Sequence, residues 1–581
     1  METLRCKKDI KFFVFYLFVI FVYHLVISFQ GYDMADEGWV MTGYQQIFND
    51  PMSVKYQFLY YFSIYIGGMW NVLFGDLGYW GFRLFAVIIR VLTAAYVYKI
   101  FEGYLNKWCI LVGVLLSCLC SSYGLYVYEH DHLTILMVVM VVYYMAESLK
   151  KGKLWYMGVA GILLGVNVFS RLPNISMTLL ILIVIPYWIY DRNIVNVLKI
   201  LGYAVGGFVI GIILTIGLML LSGHFEIFMQ NMKESMTIAF DENSYHSFDM
   251  LIKTNMNSIV YQLRSMVLIW AIPIVVFVMG KVKCVKWLKY LLVIILLPLY
   301  ISFIYGNGSN IGSIYAFVSP ICVVAIFSKN KAIVYLSVLS FIVMHLLPLG
   351  SDGSIWNMGE HSIWLALPLA VGCIWKWGLS LYTKRCREIV GFVILLGMFM
   401  LMFTTRNIIR IMNGCYFDDG SRFDKVYRIN HPLATTYTTK RNCELLNPML
   451  TELCKYVKKD DYLLCFQNIP TVHYLTQTRP YLYNSWVWTY TSSNFKYQME
   501  LAEKEHDYLP IVVRDKSMLP TWYNYYPDWN NEKGVKSYFH DNDRIMYMND
   551  FLRRNNYVLV WENEVFQILK PQPYALPNIM E

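Results

Sequence analysis

Long apolar runs recur along the first 404 residues, and they constrain the fold more than any other feature of the sequence. A run of about 18 or more apolar residues is long enough to cross a bilayer as a helix. Charged residues make up only 15% of the chain, whereas a soluble domain averages about 25%. The runs lie at residues 12–29, 79–101, 109–127, 133–149, 154–170, 174–190, 201–221, 266–280, 289–305, 313–327, 332–348, 362–378 and 388–404. We therefore predict an α-helical polytopic membrane protein with about 13 transmembrane helices.

Two further segments of this region have apolar helical patterns but are not predicted to cross the membrane. Residues 57–74 carry Gly67-Gly68 and are interpreted as a helix at the outer surface. In the long connection 223–265, phenylalanines and methionines recur at helical spacing from Phe225 to Phe240. That pattern predicts an amphipathic helix lying in the membrane interface.

Positive charge is distributed unevenly between alternate connections. Lys150, Lys151 and Lys153 share one short connection, while acids such as Asp33 and Glu129 fall in connections on the opposite side. Because lysine and arginine accumulate on the cytoplasmic side, the N-terminus is expected in the cytoplasm. The net charge of +9 resides largely in these connections, so we expect a lipid bilayer and no nucleic acid as partner. The localisation expected is a bacterial plasma membrane.

The tail, residues 405–581, differs from the membrane region 1–404 in being polar. Strand-like runs at 462–466, 509–513, 557–561 and 565–569 alternate with helical patterns at 447–459 and 494–505. This alternation predicts a small extracytoplasmic α/β domain. Its cysteines, Cys415, Cys443, Cys454 and Cys465, leave open whether disulfides form.

Three carboxylates follow the first apolar run directly, within the stretch Gly31 to Gln57. Asp33, Asp36 and Glu37 form an ionisable cluster at the membrane boundary. Such clusters are costly near hydrocarbon and favour a functional role. A solvated acidic loop is the alternative.

The order of features resembles the GT-C glycosyltransferases, which take a sugar from a polyprenyl-phosphate carrier and include protein mannosyltransferases and aminoarabinose transferases. The resemblance rests on a first helix followed by Asp36-Glu37, a surface helix, Phe74-Gly75 and Arg83, and on an outer C-terminal domain. It implies a GT-C-like membrane domain and transfer of the sugar with inversion. The acceptor implied is a cell-surface glycan, a lipid or a protein.

Transfer from a lipid phosphate requires a carboxylate to accept the acceptor's proton and cations to stabilise the leaving phosphate. By analogy with the family, Asp36 is expected to be the base. Glu37 is expected to support it, with Asp33 as the substitute.

Arg171, in the sequence FSRLPN between two apolar runs, is the first candidate for binding phosphate, because a guanidinium matches phosphate oxygens with two hydrogen bonds. A lone arginine at this depth also commonly extends to lipid headgroups. Lys55 and Arg83 are further candidates of the same kind.

The outer turn Tyr128-Glu129-His130-Asp131-His132 is rich in groups that can bind substrate. Asp131 and His132 are expected to contact the substrate, and a divalent metal is possible here, although no cofactor is required with certainty. The alternative is that the histidines cap helix ends. Trp39, Trp356 and Trp486 are candidates for stacking against a sugar.

The expected function is therefore a membrane glycosyltransferase with a polyprenyl-phosphate sugar donor. A transporter or flippase of a lipid-linked saccharide, a polysaccharide polymerase or ligase, and a non-catalytic receptor are the alternatives. A transporter commonly has repeated halves and ionisable residues in mid-membrane, whereas this sequence has no repeated halves and its charges gather at the outer rim.

Overall fold

The structure is a computed structural model that describes residues 2–121, 124, 126–240, 247–281, 286–308, 310–351, 353–383, 389–418, 420–516 and 541–572. Its membrane region is helical throughout. The helices are α1 Glu2–Ile27, α2 Asp36–Gln46, α3 Tyr61–Phe74, α4 Gly78–Phe101, α5 Lys107–Leu119, α6 His130–Lys151, α7 Trp155–Val168, α8 Val184–Asp191, α9 Ile194–Leu221, α10 Phe225–Ala239, α11 Phe248–Lys281, α12 Lys286–Asn307, α13 Ile311–Ile326, α14 Lys331–Leu346, α15 Ile355–Ser362, α16 Ala366–Thr383 and α17 Ile389–Asn413. Tighter 3-10 segments occupy Pro51–Tyr60, Gly75–Leu77 and Leu172–Ile183.

The described residues include seven helices that are long and apolar enough to cross a membrane. The count is eight if α15 and α16, which meet at a bend of 60°, form one broken span, and five shorter apolar helices lie among them. The fold class and the integral membrane location are thereby confirmed, while the count of about 13 spans stays a prediction.

Several boundaries differ from the sequence-based expectation, among them the following three. The run 109–127 is only partly helical, because α5 ends at Leu119 and the chain then turns so that the Val127 amide reaches a buried carboxylate. The helix predicted at 266–280 begins much earlier, at Phe248, and so absorbs half of a connection expected to be a loop. The helix predicted to end at 404 continues to Asn413. The amphipathic helix expected after Gly223 is present as α10.

The tail forms a mixed α/β domain, as predicted. Its strands are β1 Tyr427–Arg428, β2 Tyr437–Thr438, β3 Tyr462–Phe466, β4 Arg479–Pro480, β5 Ile511–Asp515, β6 Tyr557–Glu562 and β7 Phe566–Pro571, and its helices are α18 Lys440–Leu453, α19 Thr471–Thr476, α20 Ser492–Glu505 and α21 Asp541–Arg554. The main sheet has the order β4-β3-β5-β7-β6. β3 is parallel to β4 and β5, and β7 is antiparallel to β5 and β6. The four cysteines considered for disulfides, Cys415, Cys443, Cys454 and Cys465, are all free.

The tail packs directly on the chain around α2. The Gly31 amide donates to the Tyr437 carbonyl at 2.8 Å, and the Thr471 amide donates to the Met34 carbonyl at 3.1 Å. α2 and α19 approach so closely that a Cβ on Gly38 would overlap the backbone of Thr471. The stretch with the three carboxylates is therefore enclosed between the membrane helices and the tail.

Candidate functional site

A cavity of about 480 Å³ opens where the predicted outer connections meet the tail. This volume falls within the range of small-molecule binding sites. Its walls come from Asp36 and Trp39 of α2, from Ser235 of α10, from residues 56, 59–60, 126, 129–131, 171–173, 350–351, 356–358 and 360–361, and from tail residues 416, 486 and 488–489. The connections that the charge pattern assigned to one side of the membrane thus converge on one site.

Asp36 is the first residue of α2 and faces this cavity. Its side chain is half-buried, and the Tyr416 hydroxyl donates a hydrogen bond to Asp36 Oδ2 at 2.6 Å. A carboxylate held in this way, at the edge of a solvent-accessible cavity, can accept a proton from a bound hydroxyl.

Glu37 points away from the cavity and is fully enclosed. Arg83 binds it with both arms of the guanidinium, Nη2 to Oε2 at 2.8 Å and Nε to Oε1 at 3.2 Å. The Val127 amide donates to Oε1 at 2.7 Å, and the Tyr79 hydroxyl contacts Oε2. Glu37 therefore fixes α2, α4 and the chain before α6 in one arrangement, which agrees with the supporting role expected for it.

Arg83, which was expected to bind substrate, lies outside the cavity lining, and its contact with substrate stays a prediction. Its side chain is buried, it does not line the cavity, and its charge is matched by Glu37. Nη1 also donates to the Gln30 carbonyl at 2.7 Å, so the guanidinium makes its hydrogen bonds within the protein.

Asp33, which was expected as the substitute base, makes hydrogen bonds within the fold, and its role as a base stays a prediction. Its carboxylate accepts the amide hydrogens of Ala35 and Glu37, each at 2.8 Å, and so caps the start of α2. Burial, with the nearby charges of Asp36 and Glu37, raises the pKa of Asp33, and the two amide hydrogen bonds oppose this shift. Asp33 does not line the cavity.

Arg171 lines the cavity, as expected of a phosphate ligand. It lies between α7 and the segment Leu172–Ile183 and is only 4% exposed, with Nη1 donating to the Leu347 carbonyl at 3.2 Å. Its side chain therefore lies inside the protein instead of extending to lipid headgroups.

Lys55 does not reach the cavity lining, and its contact with substrate stays a prediction. The ammonium group forms an ion pair with Glu234 of α10 at 2.6 Å and lies 4.9 Å from the centre of the Tyr483 ring. Glu234 also accepts a hydrogen bond from Gln498 of α20 at 2.9 Å. Lys55 thus links the membrane region, α10 and the tail.

The turn before α6 divides between the site and the fold. Glu129, His130 and Asp131 line the cavity, and the His130 imidazole lies 3.2 Å from Asp131 Oδ1. His132 instead closes a capping box, because its Nδ1 accepts the Glu129 amide hydrogen at 3.2 Å. His132 thus makes the capping contact of the alternative, and its contact with substrate stays a prediction.

The electrostatic setting of this turn is unusual for Glu129. Burial raises its pKa, and the nearby carboxylates of Asp36 and Asp131 raise it further.

Within the described part of the chain, no group of three or more His, Cys, Asp or Glu side chains is arranged to hold a metal ion.

Tyr416, Glu360 and His361 are among the residues of the cavity lining that the sequence pattern did not single out. Glu360 Oε1 lies 3.3 Å from Arg90 Nη2 and 3.4 Å from His361 Nε2. An ionisable pair in a Gly- and Ser-rich connection between apolar runs was the available signal for these two. Tyr416 carried no such signal, since it lies 380 residues from its partner Asp36.

The three tryptophans considered for sugar stacking, Trp39, Trp356 and Trp486, all line the cavity. Trp488 and Tyr60 add two further rings. Stacking against a sugar stays a prediction.

Part of the chain matches a known protein family. Residues 62–218 match the family model described as dolichyl-phosphate-mannose-protein mannosyltransferase. No curated protein sequence matches the chain. Among solved structures, the chain is similar to the crystal structure of ArnT from Cupriavidus metallidurans bound to undecaprenyl phosphate, with 10% identity, coverage of 97% of this chain and 99% of that chain, and a TM-score of 0.47.

The matched segment includes Asp131 and Arg171 of the cavity, whereas Asp36 lies before it. The match of residues 62–218 to the dolichyl-phosphate-mannose-protein mannosyltransferase family confirms the resemblance to the GT-C glycosyltransferases over that segment.

Proposed function

We propose that the protein transfers a sugar from a polyprenyl-phosphate carrier to an acceptor hydroxyl in this cavity, at the extracytoplasmic face of the membrane. The observation that carries the proposal is that one cavity holds both a hydrogen-bonded carboxylate, Asp36, and a buried cation, Arg171. The family match supports the donor class, because the family is described by a polyprenyl-phosphate sugar.

In the proposed reaction, the acceptor oxygen attacks the anomeric carbon from the face opposite the phosphate, so the configuration inverts. The bond from the anomeric carbon to the phosphate oxygen breaks, and the electron pair leaves with the carrier phosphate. The acceptor proton passes to Asp36. Tyr416 orients the Asp36 carboxylate through its hydrogen bond at 2.6 Å.

Arg171 neutralises the phosphate as the bond to the sugar breaks. Its buried position makes this charge interaction stronger than it would be in water. The hydrogen bond from Nη1 to the Leu347 carbonyl limits the rotation of the side chain, so the guanidinium does not need to be ordered by the substrate.

The direct test is release of free carrier phosphate from a panel of synthetic polyprenyl-phosphate sugars by purified protein. We expect release by the wild type and a loss of about 10²- to 10⁴-fold in kcat for Asp36→Asn. Asp76→Asn is the matched control, because Asp76 is an exposed acid outside the cavity lining.

Equal release by the wild type and Asp36→Asn would remove Asp36 from the role of base. Binding of the donors without any release by the wild type would instead favour a transporter of lipid-linked saccharide. Polymerisation of a repeat unit linked to a polyprenyl pyrophosphate, with release of the carrier pyrophosphate, would favour a polymerase.

A further inference from the structure

An aromatic platform covers one wall of the cavity and begins one helical turn from the proposed base. It consists of Trp39, Trp486 and Trp488, with the ring centres of Trp39 and Trp486 6.3 Å apart and those of Trp486 and Trp488 5.5 Å apart. Trp39 follows Asp36 by three residues on α2, so the two side chains share a face of that helix.

The rings of the platform are held in place by side-chain amides. Asn484 Oδ1 accepts from Trp39 Nε1 at 3.0 Å and from the Trp486 amide at 3.1 Å, while Asn484 Nδ2 donates to the Trp486 carbonyl at 3.0 Å. Trp486 Nε1 donates to Asn468 Oδ1 at 2.9 Å. The polar edges of two indoles are thus satisfied within the protein, which leaves ring faces as the surface offered to a ligand.

The tail supplies Trp486 and Trp488 of this platform and holds the segment that carries them through further contacts of its own. The Arg544 side chain of α21 donates to the Tyr490 carbonyl at 2.8 Å and also contacts the Trp488 carbonyl. Trp488 is the least buried of the three rings, and Thr489 beside it brings a hydroxyl to the cavity lining. The segment 486–490 therefore presents flat apolar faces bordered by hydrogen-bonding groups.

This combination of surfaces suits one class of acceptor. A saccharide ring carries C–H groups on its faces and hydroxyls around its edge, and the electron-rich face of an indole attracts the C–H groups. A peptide that carries serine or threonine offers no comparable flat face. The platform also lies next to Asp36, which must reach the acceptor, whereas Arg171 serves the donor phosphate.

We infer that the acceptor is a saccharide, whose ring stacks on Trp488, the least buried ring of the platform, and presents a hydroxyl to Asp36. The inference rests on the proposed function and names its acceptor class. Asn484 is a positioning residue in this arrangement, because it acts on the acceptor only through the two tryptophans.

Binding measured without donor tests the inference by itself. Purified full-length protein in detergent is titrated with neutral oligosaccharides, namely maltopentaose, chitopentaose and mannotriose, and with a Ser/Thr-rich peptide, and tryptophan fluorescence is recorded. We expect quenching by at least one oligosaccharide and none by the peptide. Trp488→Ala should weaken saccharide binding about tenfold, the loss of roughly one stacking contact, and Trp488→Phe should restore most of it.

Tyr497→Ala is the control, since Tyr497 is an exposed aromatic residue of α20 away from the cavity. In the transfer assay, Asn484→Ala should raise the KM for the saccharide while kcat at saturating acceptor stays within about twofold of the wild type. A purely structural role of Asn484 would instead lower the amount of folded enzyme and leave KM unchanged.

Absence of saccharide binding, equal binding by the wild type and Trp488→Ala, or transfer to the peptide would each overturn the inference. These results are separate from the test of the proposed function. Saccharide binding without release of carrier phosphate from any donor would count against the glycosyltransferase and leave the binding site in place.

Discussion

Two adjacent carboxylates, Asp36 and Glu37, have opposite surroundings. Asp36 meets the cavity with a tyrosine as partner, whereas Glu37 is 1% exposed and bound by Arg83. Neighbouring residues at the start of a helix point in different directions, so one can serve chemistry while the other holds the elements together.

Exchanging each carboxylate for its amide should separate these two roles. Glu37→Gln removes the charge partner of buried Arg83 and should lower the free energy of unfolding by about 3–5 kcal/mol. Asp36→Asn should lose activity while its thermal unfolding in detergent stays close to that of the wild type, since asparagine can still accept from Tyr416. An equal fall in Tm for both variants would contradict this division of roles.

Glu129 should make stability depend on pH. Its pKa is raised by burial, so the folded state keeps a proton that the unfolded state releases above about pH 4.5. Stability is therefore expected to fall as the pH rises from this value towards the raised pKa. Glu129→Gln, which can still accept the His132 amide hydrogen, should remove this dependence in thermal unfolding measured across the pH range. A wild-type profile parallel to that of the variant would show that Glu129 titrates normally.

Residue type and position did not distinguish Asp36 and Arg171, which line the cavity, from Arg83 and Lys55, which do not. All four are charged groups next to apolar runs, and the sequence does not show which of them has a partner. Arg83 pairs with Glu37, 46 residues away, and Lys55 with Glu234, 179 residues away. Only the fold brings these partners together.

At the scale of elements, periodicity was a reliable guide to type and a weaker guide to ends. β3 spans the predicted residues 462–466, and α10 follows the predicted amphipathic pattern. By contrast, α5 ends early because Val127 is needed as a hydrogen-bond donor to Glu37, a contact over 90 residues. A local sequence pattern contains no information about such a contact between distant residues.

The contact between α2 and α19 depends on a glycine. Gly38→Ala would place a Cβ onto the Thr471 backbone, and we expect it to destabilise the protein by about 1–3 kcal/mol. Gly202→Ala is the matched control, because a Cβ on that helical glycine of α9 meets nothing within 4 Å. Thermal unfolding of both variants in detergent checks this expectation, and equal stability would mean that α19 can shift without cost.

At the scale of the whole molecule, the connections predicted on one side of the membrane do form one site together with the tail. Their convergence agrees with the charge pattern, although the pattern alone could not show which of their side chains meet. The orientation itself remains a prediction with a direct test.

Cys454 can report on which side the tail lies. It is exposed and free, while the other cysteines with described side chains are buried. Cys6, Cys284 and Cys386, whose side chains the structure does not describe, belong to regions predicted on the cytoplasmic side. We expect a membrane-impermeant maleimide to label wild-type protein in intact cells and to label Cys454→Ser far less. Labelling of Cys454 only after permeabilisation would reverse the predicted orientation.

The seating of the tail on α2 has a consequence for biogenesis. Tyr416, Trp486 and Trp488 are translated after every helix of the membrane region, yet they complete the cavity. A nascent chain still emerging from the ribosome thus holds Asp36 and Arg171 without the wall that faces them. The cavity is therefore completed last, once the tail has been translated.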